Sequence, residues 1–176
     1  MPQSSHINAL FKNKELDELY ISIGIRRFSL GIISVFIPLY LYQVGFELAS
    51  IFLFFWLKNI FHALLVIPAA HISAHIGFKH SMAASIPLLI LFFISIYTAI
   101  PQNNWSLFII AIVGAIENAL YWTGYHLHFS SSTKSASTAQ SVSIARIISS
   151  GFHSLGPFIG GILLVIFGFT FSFFLI

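Results

Sequence analysis

Five apolar runs of spanning length, separated by short polar breaks, decide what this chain can fold into. A bilayer core of about 30 Å needs about 20 apolar residues per helix, because every backbone polar group must be satisfied within the segment itself. The runs cover roughly 19–44, 50–72, 82–100, 105–125 and 142–167 of the 176 residues. Only 7% of the chain is charged and 57% is hydrophobic, whereas a soluble domain carries about one quarter charged residues. The expected fold is therefore an all-α, polytopic transmembrane helical bundle. It has five full spans and, in "FTFSFFLI" (Phe169 to Ile176), the start of a sixth.

The breaks between runs carry the remaining local signals. Residues 1–18, "MPQSSHINALFKNKELDE", form a polar tail of mixed charge. The first run is too long for a signal-peptide core and has no small-residue cleavage site after it, so it stays as an anchor. After the third run comes "PQNN", in which Pro101 cannot continue a helix and Asn103 or Asn104 can cap the next one. Between the fourth and fifth runs lies "SSSTKSASTAQS", a Ser/Thr-rich segment that reads as a loop. "Gly-Phe" recurs at Gly45, Gly77 and Gly168, each near the end of an apolar run, where glycine suits a helix C-cap backed by an apolar residue. The eight residues after Gly168 are too few to cross a bilayer. They imply a truncated chain, the alternative being an interfacial C-terminus.

Positive charge orients the bundle. Lys12 and Lys14 precede the first run, Lys79 follows the second and Lys134 follows the fourth. The alternate connections, "YQVGFE", "IPQNN" and "FGF", hold no Lys or Arg, so the positive-inside rule puts the N-terminus in the cytoplasm of a cell or inner membrane. The net charge of +3 comes from eight basic and five acidic residues that interleave, which does not suit nucleic-acid binding. Absence of cysteine removes disulfides, zinc-thiolate sites and thiol catalysis.

"AAHISAHIGFKHS", Ala69 to Ser81, holds three histidines, two of them at i,i+4. His71 and His75 could supply two metal ligands from one helical face, but no carboxylate or thiolate lies near to complete a tetrahedral set, so no metal site is assigned. With His80, His126 and His128 they cluster at the cytoplasmic ends of helices, where pH sensing and plain interfacial anchoring are both open. The same stretch, with Ala70, Ile72, Ser73, His75, Gly77, Lys79 and His80 in register, resembles the GxLADRxGRR loop signature of the major facilitator superfamily. Ala70 stands where the signature has its first glycine and Ala74 where it has aspartate. "GFHSLGPFIGG" in the fifth run resembles the superfamily's GPxxGG motif, here Gly156, Pro157, Gly160 and Gly161. Gly156 and Gly160 at i,i+4 give a flat surface for close helix approach, and Pro157 permits a bend; small residues that only pack the bundle are the plainer alternative.

The resemblance covers residues 18–176 and implies the N-terminal six-helix half of a twelve-helix secondary transporter. Its partners would be the lipid bilayer, a small-molecule substrate and a missing C-terminal half of the same chain. It implies no cofactor beyond a possible coupling ion, H+ or Na+. The loop carboxylate that helps hold the inward-closed state in the family has no counterpart at Ala74. The family's fourth-helix arginine motif is likewise absent, the only charge in that run being Glu117.

Ionisable groups within spans cost several kcal/mol and face a bundle interior or a water-filled cavity. Lys58, with His62 one turn later on the same face, lies in the second run. Glu117 and Asn118 lie in the fourth, near Tyr121 and Trp122, and Arg146 starts the fifth. From the helical rise, Glu117 sits about 12 Å from the inner end of its run, and either Arg146 or the long Lys58 could reach it. Ser143, Arg146, Ser150, His153 and Pro157 share one side of the fifth helix, which would line a pathway or join a structural network. Arg27 shares a face with Gly24, Gly31, Ser34 and Pro38, while Arg26 and Arg27 both sit where snorkelling to headgroups is open to them. The substrate-pathway or coupling candidates are thus Arg27, Lys58, His62, Glu117, Asn118, Trp122, Arg146 and His153. Ala74, Gly77, Lys79 and the four GPxxGG residues are conformational candidates. Aromatics with both charge signs would suit a sugar, a drug-like cation or a peptide. A non-transporting integral subunit is the alternative. With no GxSxG or HExxH motif, no enzyme is expected.

Overall fold

The computed structural model describes residues 14–101, 104–133 and 138–174. The expectations for the first thirteen residues with Lys12, for Gln102 and Asn103, for Lys134 and its neighbours to Ser137, and for the last two residues lie outside these. Among the described residues there is no strand. The helices are α1 (Lys14–Ser34), α2 (Ile37–Val44), α3 (Leu48–Ile76), α4 (Phe78–Tyr97), α5 (Asn104–Ser132) and α6 (Thr138–Phe174).

Among the described residues, five segments are long and apolar enough to cross a membrane: Lys14–Val44, Leu48–Ile76, Phe78–Tyr97, Trp105–Ser132 and Thr138–Gly168. The first run, read as one span, is interrupted at Val35 and Phe36. Pro38, second residue of α2, has no N–H to give the carbonyl of Ser34 and its ring crowds that carbonyl, which ends α1 there. Pro68, Pro87 and Pro157 lie inside continuous helices. The Ser/Thr-rich segment read as a loop is largely helical in its described part. α5 runs on through Ser132 and α6 begins at Thr138, and hydroxyls at and beyond these ends turn back to the carbonyl four residues earlier. Thr133 does so to Phe129 at 2.6 Å and Ser143 to Ala139 at 2.8 Å.

Gly45, Gly77 and Gly168, and no other described residue, have positive φ; the glycine of the fourth Gly-Phe pair, Gly151, lies within α6 without it. Gly45 (φ 114°, ψ 15°) closes α2 in a Schellman arrangement, its N–H donating to Tyr42 and that of Phe46 to Leu41, with Leu41 and Phe46 both buried. Gly77 (φ 91°, ψ 145°) alone separates α3 from α4. Gly168 (φ 73°, ψ 179°) interrupts the helical path of α6.

The chain divides into two compact units, residues 1–35 with 129–176, and residues 36–128. In the first, α1 packs along α6. Two glycines meet at the crossing: a Cβ on Gly156 would lie 2.5 Å from Gly31 Cα and 2.7 Å from the Ile32 nitrogen. Phe28 and Phe152 pack edge to face nearby, centroids 6.2 Å apart. In the second unit, α5 presents the small side chains Ala111, Ala115 and Ala119 at successive turns, each at most 1% exposed, which lets helices approach closely. Outward positions are apolar: Phe52, Leu64 and Ile67 on α3 are each more than two-thirds exposed. Such surfaces would aggregate in water and are satisfied by acyl chains. This inside-out distribution and the five spans make the chain a multi-pass integral membrane protein.

Candidate functional site

The second unit gathers three of the ionisable candidates. Lys58 lies about a third of the way along α3, its ammonium 5.7 Å from the centroid of the Phe92 ring on α4, within cation–π range. Glu117, near the middle of α5, is only 5% exposed and interacts electrostatically with Lys58. Of the two partners open to Glu117 on sequence grounds, Lys58 shares its unit; Arg146 belongs to the other. α5 is longer at both ends than the apolar run suggested, which moves Glu117 from the inner half of its span to mid-helix.

His62, one turn beyond Lys58, feels the lysine charge and hydrogen-bonds the backbone of Ala115 on α5. Its Nδ1 is shielded from solvent and has no partner among the described residues. Gly114 makes this arrangement sterically possible. A Cβ there would stand 2.6 Å from the Phe92 ring and 3.3 Å from Lys58 Cδ, so the missing side chain is the space the lysine stem and the ring occupy. Sequence reading passed over Gly114; its signal was a single glycine three residues before a buried acid.

Asn118 is half-buried beside Glu117 in sequence. Trp122 belongs to an aromatic ladder on α5, stacked on His126 with centroids 5.6 Å apart and edge-on to Tyr121 and Tyr125. Tyr121 and Tyr125, one and two turns beyond Glu117, are both 4% exposed, so the buried stripe of α5 runs from a carboxylate into two phenols.

At the α3–α4 connection, Ala74 and Lys79 are exposed and Gly77 is half-buried. Beside them lies a buried hydroxyl cluster not singled out from sequence. Ser73 Oγ is 2.7 Å from Ser81 Oγ and 3.2 Å from Thr123 Oγ1, the Ser81 hydroxyl donates to the Leu120 carbonyl at 3.0 Å, and that of Thr123 to Ala119 at 2.7 Å. Ser73 and Ser81 are fully buried. Gly124 allows the approach, since a Cβ there would sit 3.0 Å from the Phe78 carbonyl oxygen. Of the clustered histidines, His71, His75, His80 and His126 are exposed, whereas His128 is buried with its ring stacked on Phe78 at 6.3 Å. No group of three metal-ligating side chains forms among the described residues.

The first unit holds the other candidates. Gly24 and Gly31 both face α6, and Arg27, between them on that side, is half-buried. On α6 the stripe divides: Ser143, Arg146 and Ser150 are exposed, His153 and Pro157 half-buried. The His153 backbone carbonyl lies 2.8 Å from the position a Gly31 Cβ would take. Gly156 and Gly160 are buried and Gly161 half-buried, but of the two motif glycines expected to admit a neighbouring helix, Gly156 is the one that meets backbone.

Fold and site together define the class: a multi-pass helical membrane protein with a buried acid and a basic group interacting inside one unit. No family model, curated protein or solved structure matches the chain.

Proposed function

We propose that the chain is the N-terminal half of a secondary transporter of the major facilitator type, moving a small solute by alternating access, and that it is not an enzyme. The observation that carries this reading is the Lys58–His62–Glu117 cluster. A single charge at mid-helix costs about 3 kcal/mol to insert, so opposite charges placed about a third of the way along α3 and at the centre of α5 argue for a task within the span. Binding sites of such transporters lie near the midplane between helices. In this reading Lys58 and Glu117 bind solute or coupling ion, with His62, Asn118 and Trp122 around them and Arg27, Arg146 and His153 on the pathway of the other unit. Lys14 at the start of α1 and Lys79 at the α3–α4 connection support a cytoplasmic N-terminus in a cell or inner membrane. Lipid, the solute and a C-terminal half of the same chain are the partners.

The test is uptake into proteoliposomes by the full chain, screened over solutes with and without a proton gradient. Glu117→Gln and Lys58→Met should each lower transport at least tenfold. Wild-type uptake by the doubly neutral variant would overturn the assignment. A second reading, an integral subunit that assembles with another membrane protein, draws on the exposed Ser143, Arg146 and Ser150 of α6. There Arg146→Leu should release the partner while the Lys58 and Glu117 variants keep it.

A further inference from the structure

We propose that the corner between α3 and α4 is a docking surface for an anionic phospholipid, its phosphate held by Lys79 and the imidazoles of His71, His75 and His80, and its acyl chains lying against Ile72 and Ile76. A single residue, Gly77, separates the two helices, and the 2.7 Å contact between Ser73 Oγ and Ser81 Oγ ties their ends side by side. Ser73 is fully buried. His71 and His75 stand two residues to either side of it, about 160° round the helix, so both are turned away from the bundle. His71, His75, Lys79 and His80 are all exposed. The His80 ring folds back over the turn, its Nδ1 3.4 Å from the position a Gly77 Cβ would take.

Charge selects the ligand. Residues 48–116 contain no Asp or Glu, so neither α3 nor α4 carries an acid that could neutralise these four groups. The third helix packed at the corner, α5, brings Tyr125, exposed His126 and buried His128, whose ring stacks on Phe78. Its one acid, Glu117, lies about 10 Å along the helix from Gly124, the residue level with Phe78. Basic side chains clustered where a span meets the interface attract anionic headgroups. Imidazole gains its proton between about pH 8 and pH 5, so the attraction grows on acidification, from the fixed charge of Lys79 alone to that charge joined by three imidazoliums.

The apolar neighbours decide for a lipid over a free anion. Ile72 and Ile76 form the adjacent column on the last two turns of α3, 48% and 46% exposed, and such surface is satisfied by acyl chains. A cationic column beside an apolar one at the end of a span fits a molecule that carries phosphate and hydrocarbon together. None of the groups assigned to solute or coupling ion takes part, so the surface stands or falls independently of the transporter reading.

The test reconstitutes the full chain in phosphatidylcholine bilayers and compares spin-labelled phosphatidylglycerol with spin-labelled phosphatidylcholine as the lipid held at the protein surface. The phosphodiester keeps its charge throughout, so any pH dependence belongs to the protein. Preference for phosphatidylglycerol should be at least threefold stronger at about pH 5.5 than at about pH 8.5. His71→Gln, His75→Gln and His80→Gln made together should remove most of that change, and Lys79→Gln should lower the preference at both pH values. Excess inorganic phosphate at matched ionic strength should leave the preference standing. A wild-type preference that does not change with pH would overturn the proposal, as would its loss to inorganic phosphate, which would make the corner a site for the free anion. These two arms need no variant and so do not depend on how the replacements fold. An undiminished pH response in the folded triple variant would also overturn it.

Discussion

Replacing Gly156 by alanine should separate α1 from α6, whereas the same replacement five residues earlier, at Gly151, should do no harm. The new methyl of Gly156→Ala would fall 2.5 Å from Gly31 Cα and 2.7 Å from the Ile32 nitrogen. Both neighbours are backbone, so no rotamer change relieves the overlap, and the helices must part by about 1 Å to restore contact distances near 3.5 Å. Overpacking of this kind costs about 1–3 kcal/mol, and a clash with main chain belongs at the upper end. Alanine returns up to about 1 kcal/mol as the better helix former. The net loss for Gly156→Ala is about 2 kcal/mol. At Gly151 an added Cβ meets nothing within 4 Å, so only the propensity gain remains and stability should rise by up to about 1 kcal/mol. Unfolding by SDS titration in mixed micelles, followed by circular dichroism, measures both. Equal stability of the two variants, or a Gly156→Ala protein as stable as wild type, would refute the crossing as the source of α1–α6 packing.

Ser81→Ala should lose about 1 kcal/mol in the same titration and Ser73→Ala about 0.6 kcal/mol, since interhelical hydrogen bonds in membranes average about 0.6 kcal/mol and Ser81 makes two, while the single Ser73 proton serves one of its two hydroxyl neighbours at a time. Because they share one bond, the double variant should lose about 0.6 kcal/mol less than the sum, and strict additivity would count against the network. Gly77→Ala should cost about 1–3 kcal/mol from backbone strain at φ 91°, not from crowding, as the nearest atom to its Cβ would be His80 Nδ1 at 3.4 Å. A tolerated alanine there would mean that α3 and α4 can be joined by another conformation.

The spans, their number and the places where the chain turns were legible because each rests on a local rule: run length, and glycine where φ must be positive. Of the glycines read as caps, Gly45 and Gly77 end helices and Gly168 breaks the helical path of α6, only Gly45 in the left-handed helical conformation of the ordinary cap; a fourth Gly-Phe pair, at Gly151, lies within α6, so the dipeptide alone does not dictate a stop. Less local events escaped. The interruption at Val35 and Phe36 depends on a proline whose effect falls four residues upstream, while Pro68, Pro87 and Pro157 show that proline alone does not dictate a break. Lys58, His62 and Glu117 were recognisable as costly residues within spans, but which of two cations approaches Glu117 is a matter of helix packing. That packing is written in Gly114, Ala111, Ala115 and Ala119, whose small size carries no pattern distinct from ordinary membrane composition. The hydroxyl cluster was hidden for the same reason, since its members lie on three helices and any one of them is an unremarkable serine or threonine.

That cluster bears on the carboxylate missing at Ala74. Ala74 is exposed, while its neighbour Ser73 is fully buried and hydrogen-bonds across to α4 and α5. Neutral hydroxyls make modest bonds that salt does not screen, and here they join three helices of a single unit. Such a cluster stiffens the α3–α4 corner within its own unit. A loop carboxylate in a charge relay acts differently, because its contact is made in one conformational state and lost in another. On the transporter reading the two devices are therefore not equivalent: Ser73, Ser81 and Thr123 keep the corner intact through the cycle. The latch that the carboxylate would have supplied then has to be sought on charged groups that can change partners, of which exposed Arg146 on α6 is one.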